Sequence, residues 1–197
     1  MINYEKKQKK EMDLYMRNRS LRIERLQQWD AAQSIIFTEF QNFIALSKER
    51  EFGKEYSAYP YKDKNIVQIV FGILPIAHSI DGKGIDVESG AGLVYSILPS
   101  GMVFCTVFFC SSERKRLPKK YLLLRIYKYP SKITANCVKR DLLDLLRYQR
   151  ISSSIQYASW WEQKLLQWKL SDEDTIAKIL KVSVDFVIDL FKSILLK

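Results

Sequence analysis

One histidine limits the chemistry this chain can be expected to perform. His78 is the only imidazole in 197 residues, so a Ser-His-Asp triad, a Cys-His pair and a histidine-ligated metal would all have to share it. Asp81, Asp86 and Glu88 lie close to it in sequence, the beginnings of a divalent-cation site. A second fixed ligand is missing, and the acids lack the alternating spacing and distal glutamate of a calcium loop. No serine stands in a Gly-x-Ser-x-Gly context. Cys105 and Cys110 lie in MVFCTVFFC, a run apolar enough to be a buried strand, where a thiol stays protonated and inert.

The glycine-rich stretch DGKGIDVESGAG, residues 81–92, invites a phosphate. Gly82-Lys83-Gly84 has neither the spacing nor the Ser/Thr of a P-loop, however, and Gly90-Ala91-Gly92 is not the dinucleotide fingerprint. An exposed turn between strands is the expectation there. Glu162-Gln163-Lys164 matches the end of a nuclease-like E-x-K pattern, three residues in a helical context. The chain is therefore expected to be a binding protein rather than an enzyme, with no cofactor, no metal and no small-molecule substrate identified. Cys105, Cys110 and Cys137 form an odd count without CxxC spacing, which suits reduced core thiols and neither a disulfide framework nor a zinc site. The first residues carry no apolar signal core, and the expected compartment is the cytoplasm.

Charge gives the strongest functional signal. Arg114 to Arg150 hold twelve Lys or Arg against Asp141 and Asp144, a net of +10 that equals the formal charge of the whole chain. Such a concentration attracts polyanions, whose counterions are released on binding. The candidate contacts to nucleic acid or an acidic partner are Arg114, Lys115, Arg116, Lys119 and Lys120 in RKRLPKK, and Lys139, Arg140 and Arg147 off the apolar stripe of a following helix. Tyr56, Tyr59 and Tyr61 around Pro60 are candidates for base stacking, for a protein interface, or for packing on a sheet.

These residues need elements to position them. Residues 3–50 contain no proline or glycine and predict one long helix, about 70 Å at 1.5 Å per residue. A heptad frame places Met16, Ile23, Phe37 and Ile44 at one seam position and Met12, Leu26 and Phe40 at the other, with Arg19, Asp30 and Gln33 interrupting. The apolar stripe is thin over residues 1–28 and wide over 29–46. The expectation is thus a helical arm over 1–52, of which 28–52 joins the core, and a globular domain over 53–197. Met12, Met16, Ile23 and Leu26 are its expected protein interface.

Strands are predicted at Asn65–Ile73, ended by Pro75, at Leu93–Leu98 and Met102–Cys110 joined by a Pro-Ser-Gly turn, and at Tyr121–Tyr127. Tyr56–Lys64 is expected to be a loop. A helix capped by Thr134 should run to a serine turn at 152–154, and a tryptophan-rich helix should follow over Ile155–Leu170 with Trp160, Trp161 and Trp168 filling the core, except that one of the adjacent pair should lie near the surface or at an interface. Ser171 to Asp174 resembles the start of a last helix. The fold class expected is α+β: a long N-terminal helical arm, an antiparallel sheet of about four strands, and C-terminal helices packed on it.

The function expected is that of a non-catalytic accessory subunit of a larger intracellular assembly, with a protein partner on the arm, in hetero- or homo-oligomeric form, and nucleic acid or an acidic partner on the patch. Two alternatives remain. One is a membrane-surface protein held by KILKVSVDFVIDLFKSILLK, residues 178–197, in which Asp185 and Asp189 oppose attachment to anionic lipid. The other is a metal-dependent nuclease.

Overall fold

The computed structural model describes residues 4–49, 57–78, 84–112, 117, 119–156 and 158–171. The chain is α+β. Helix α1, Tyr4–Lys48, is followed by strands β1 Ala58–Asp63, β2 Ile66–Phe71, β3 Ile73–His78, β4 Ile85–Ser89, β5 Gly92–Ile97, β6 Val103–Phe108, β7 Ser111–Ser112 and β8 Tyr121–Tyr127. A 3-10 turn at Pro130–Lys132 then leads to α2, Ala135–Ser152, and α3, Trp160–Ser171. The strands form a five-stranded sheet in the order β1-β2-β5-β6-β8 and a three-stranded sheet in the order β3-β4-β7. Paired neighbours in both are antiparallel.

The four strands expected from apolar patterning are β2, β5, β6 and β8. All six residues of β6 are buried, as an unbroken apolar run requires. Three expectations need correction. Tyr56–Lys64 is not wholly a loop, because Ala58–Asp63 pairs with β2. Pro60 is tolerated there since β1 is an edge strand. Pro75 does not end a strand but lies within β3, an edge strand of the second sheet. The stretch 81–92 is not a simple turn either, for β4 occupies its middle with Asp86 and Glu88 buried.

The two sheets are connected by bent strands. β2 passes into β3 through Gly72, and β4 passes into β5 through Gly90 and Ala91. At this crossing the Gly90 N–H donates to the Gly72 carbonyl at 3.0 Å and the Phe71 N–H to the Ala91 carbonyl at 2.9 Å. A β-carbon on Gly90 would fall 3.0 Å from the Phe71 carbonyl carbon and 3.1 Å from the Gly72 oxygen. Glycine is needed here for space. Gly101 is needed for conformation, because it closes the β5–β6 turn at φ +77°, the left-handed region that a short hairpin loop of this kind requires.

Helices α1 and α2 cover the same face of the larger sheet. On α1, Trp29, Ala32, Gln33, Ile36 and Phe40 are buried at helical spacing. Phe40 packs on Tyr95 and Phe43 on Phe71, with ring centroids 6.2 and 6.3 Å apart. Gln33, which interrupts the heptad pattern, hydrogen-bonds through Nε2 to the carbonyls of Asp63 and Lys64 at 2.6 and 3.1 Å, and Trp29 Nε1 donates to the Lys64 carbonyl at 2.9 Å. The break in the seam is therefore a clamp on the β1–β2 turn. On α2, Thr134 is the N-cap as expected. Val138, Leu142 and Leu145 are buried beneath it, each contributing about 1.5–3 kcal/mol. Its far end is pinned where Gln149 Oε1 accepts from the Ala91 N–H at 2.5 Å and Ser152 Oγ accepts from the Cys110 N–H at 3.0 Å.

Candidate functional site

The N-terminal half of α1 is exposed at every position from Tyr4 to Ser20. Contact with the globule begins near Arg25, whose guanidinium donates to the Ser100 carbonyl at 3.2 Å and lies 4.8 Å from the centre of the Tyr129 ring. Met12, Met16, Ile23 and Leu26 are 62%, 56%, 48% and 39% exposed. Tyr15 beside them is exposed as well. Arg19 falls between Met12 and Leu26 at their seam position, and residues 4–20 carry six Lys or Arg against three acids. Parallel pairing with a second copy would set Arg19 against Arg19, a like-charge contact. A helix offering apolar side chains and a carboxylate at that level is the better complement.

The basic residues do not form one surface. Lys139, Arg140 and Arg147 share an exposed face of α2 with Leu143 between them, which is what their i, i+1, i+4 and i+8 spacing dictates. Lys139 also lies 3.8 Å from Glu39 of α1, a weak surface pair. Lys119 and Lys120 line a hollow beside β7 instead. Arg114, Lys115 and Arg116 lie outside the described residues, as do Tyr56, Asp81 and the segment 172–197, with its expected helix start at Ser171 to Asp174 and its membrane-surface alternative. Two further cations of the run are taken up internally. Arg125 binds Asp141 and Asp144, and Arg150 binds Glu162.

Asp141 concentrates polar chemistry that sequence reading missed. It is 0% exposed, yet its Oδ2 accepts from the hydroxyls of Tyr95 and Tyr127 at 2.5 and 2.9 Å and from Cys105 Sγ at 3.4 Å, while Oδ1 accepts from Arg125. Burial first, then the neighbouring acidic groups, raise the Tyr95 and Tyr127 phenols far above the usual range. Burial likewise raises the Cys105 thiol and pushes Cys110 up to about 12. Each carboxylate oxygen of Asp141 thus has a donor, and the cluster joins α2 to β5, β6 and β8 as a hydrogen-bonded network. Cys137 differs: the Thr134 hydroxyl, 3.3 Å from its sulfur, lowers it. The sequence signal for the network was an acid within the apolar stripe of α2, at Leu142−1 and Val138+3.

Glu88 is a second buried carboxylate. It accepts from Ser153 Oγ at 2.7 Å and from the Ser154 N–H and Oγ at 2.6 Å each. Glu88 is thus committed to holding the turn after α2, not to a cation beside His78. Among the described residues no group of three or more His, Cys, Asp or Glu is placed to hold a metal ion, and no helix is long and apolar enough to cross a membrane.

Helix α3 begins at Trp160, later than expected, and buries Leu166 and Leu170. Both Trp160 and Trp161, not one of the pair, lie outside the core, at 58% and 75% exposure, and the side chain of Trp168 is outside the described residues. The start is set by a capping box, with Ser159 Oγ accepting from the Glu162 N–H and Glu162 accepting from the Ser159 N–H. Glu162 also takes both ends of the Arg150 guanidinium, at 2.9 and 2.5 Å. The Arg150 hydrogen bond, then the Ser159 N–H, lower the Glu162 carboxyl from 4.5 to about 2. A depressed acid stabilises the fold fully above its unfolded value and loses that contribution as pH falls through its folded one. Acidification from pH 5 towards 2 is therefore expected to loosen the first turn of α3, read as a shift in tryptophan emission that E162Q, already unpaired, does not show over that window.

Comparison with protein-family models, with curated proteins and with solved structures finds no match.

Proposed function

We propose that this chain is a non-catalytic binding subunit of a larger assembly, joined to a protein partner through the exposed N-terminal half of α1. The observation that carries the proposal is the exposure of Met12, Met16, Ile23 and Leu26 on a helix that is exposed at every position from Tyr4 to Ser20. An isolated stretch of that length is marginal as a helix in water, and the thin apolar stripe is what a partner helix would cover. The partner's helix is acidic, matching the excess of Lys and Arg on the arm. The basic face of α2 supports a second contact, with nucleic acid or an acidic surface, in the same assembly.

Purification of the tagged chain from its native host, followed by identification of what accompanies it, tests the proposal. Met16→Asp together with Ile23→Asp is expected to weaken association with the recovered partner at least ten-fold, while the melting temperature of the isolated chain stays as it was. Deletion of residues 1–20 should give the same loss with unchanged near-ultraviolet circular dichroism. A folded, truncated chain that binds its partner as tightly as the whole one would remove the arm from the interface.

A further inference from the structure

We infer that the groove between α1 and α2 docks one amphipathic helix of a partner protein, apolar on its seated face and acidic on the flank turned to Arg140 and Arg147. The inference rests on the second contact proposed for α2, names the chemistry of its partner, and is independent of the arm. The groove has a volume of about 600 Å³. Its floor is the buried Leu142 and the half-buried Phe43, whose ring packs on Phe71. Its walls are Leu46 on α1 and Leu143 on α2. These two leucines are 65% and 67% exposed, so they serve no core of the chain itself. Asn42 and Ala45 line the α1 side with short side chains, which leaves the space open. On α1 the lining runs through Glu39, Asn42, Phe43 and Leu46, the i, i+3, i+4 and i+7 spacing of one helix face, about 10 Å along the axis. A trough between two helices suits a third, whose own apolar residues at that spacing cover Leu46 and Leu143.

Charge selects the partner. The α2 rim carries Lys139, Arg140 and Arg147, all exposed. Glu39 answers Lys139 at 3.8 Å, whereas Arg140 and Arg147 form no ion pair among the described residues. Helical geometry sets these two arginines on one side of Leu143 and Lys139 on the other. The α1 wall of Asn42, Ala45 and Leu46 is uncharged, so the complementary helix has its acids on one flank. Nucleic acid would offer phosphates to the arginines and nothing apolar to the leucines. The exposed arm of a second copy, with six Lys or Arg against three acids over residues 4–20, has the wrong sign.

Fluorescence anisotropy of labelled synthetic peptides titrated with the whole chain tests the inference. The probes are a stapled helix of about 20 residues with a leucine stripe and glutamates on one flank, the same helix with lysines for glutamates, the same with serines for leucines, and a duplex DNA. The glutamate peptide is expected to bind one per chain, and each of the other probes at least ten-fold more weakly. Leu46→Asp with Leu143→Asp should lower its affinity at least ten-fold, and Arg140→Glu with Arg147→Glu should transfer the preference to the lysine peptide. If near-ultraviolet circular dichroism shows the leucine variant unfolded, Leu143→Ser alone is expected to cost at least three-fold. Met16→Asp with Ile23→Asp should leave peptide binding unchanged, and a loss there would place the peptide on the arm and overturn the inference. Absence of glutamate-peptide binding, equal binding of the lysine peptide, or unchanged affinity in the folded leucine variant would overturn it as well. DNA bound through Arg140 and Arg147 without peptide binding would overturn it while leaving the α2 contact standing. Self-association of the chain that the leucine variant abolishes would assign the groove to a second copy instead.

Discussion

Asp141→Ala is expected to lower the free energy of unfolding by about 3–5 kcal/mol, the range for removing one partner of a buried ion pair. The reason lies in what the carboxylate leaves behind. The hydroxyls of Tyr95 and Tyr127 and the guanidinium of Arg125 all donate to it. Tyr95 is fully buried, and an orphaned buried donor costs about 1–3 kcal/mol. Tyr95→Phe removes one donor and leaves Asp141 its others, so about 1 kcal/mol is expected. Asp144→Ala removes a half-exposed partner of Arg125, and surface pairs of that kind contribute about 0–1 kcal/mol. Urea titrations followed by circular dichroism give all three values, provided the slopes agree. If Asp141→Ala costs no more than Asp144→Ala, the network is not what joins α2 to β5, β6 and β8.

How much of this was legible in the sequence depended on how each residue's environment was built. β2, β5 and β6 announced themselves because their burial within the sheet demands apolar runs, β8, an edge strand, because YLLLRIY is itself an apolar run, and α2 because Thr134 and the Val138–Leu145 spacing satisfy one helix face. β1 and β3 were hidden, since edge strands accept the Pro60 and Pro75 that a central strand would reject. Gln33 looked like a flaw in a heptad. Its role as a clamp on the carbonyls of Asp63 and Lys64 depends on a turn distant in sequence, which no local pattern displays. The capping box at Ser159 and Glu162 was readable, and it fits better than Ser171 with Asp174 because glutamate reaches the N-cap N–H more readily.

Charge density along the chain was a poor guide to charge density on the surface. Arg125 and Arg150 lie in the basic run, but the fold turns them to Asp141, Asp144 and Glu162. Lys139, Arg140 and Arg147 remain on one outward face because helical spacing places them there. Lys119 and Lys120 line a hollow, which follows from the path of β3 and β4 and could not be foreseen while residues 81–92 were read as a turn. The N-terminal helix was legible for the opposite reason: residues 4–20 are all exposed, so composition and the absence of Pro and Gly decide their conformation.

Gly90→Ala is expected to destabilise the chain by about 3 kcal/mol, although it adds a single methyl group. Overpacking of a closed site costs about 1–3 kcal/mol, and here the new carbon would meet the Phe71 β-carbon first, then the Phe71 carbonyl carbon at 3.0 Å and the Gly72 oxygen at 3.1 Å, all fixed by the strand backbone. A flexible side chain could turn aside, but strand backbone can only separate. Separation would stretch the Gly90–Gly72 and Phe71–Ala91 hydrogen bonds, worth about 0.5–1.5 kcal/mol each. Gly84→Ala is the matched control, since a β-carbon there meets nothing within 4 Å, and its expected effect is within about 0.5 kcal/mol. Urea titration measures both changes, and amide exchange locates them: Gly90→Ala should release the amides of Phe71 and Gly90 more than those in the middle of β6. If the two substitutions prove equally mild, the crossing between sheets yields without resistance, and the bent strands do not fix the placement of Ile73 and Val87.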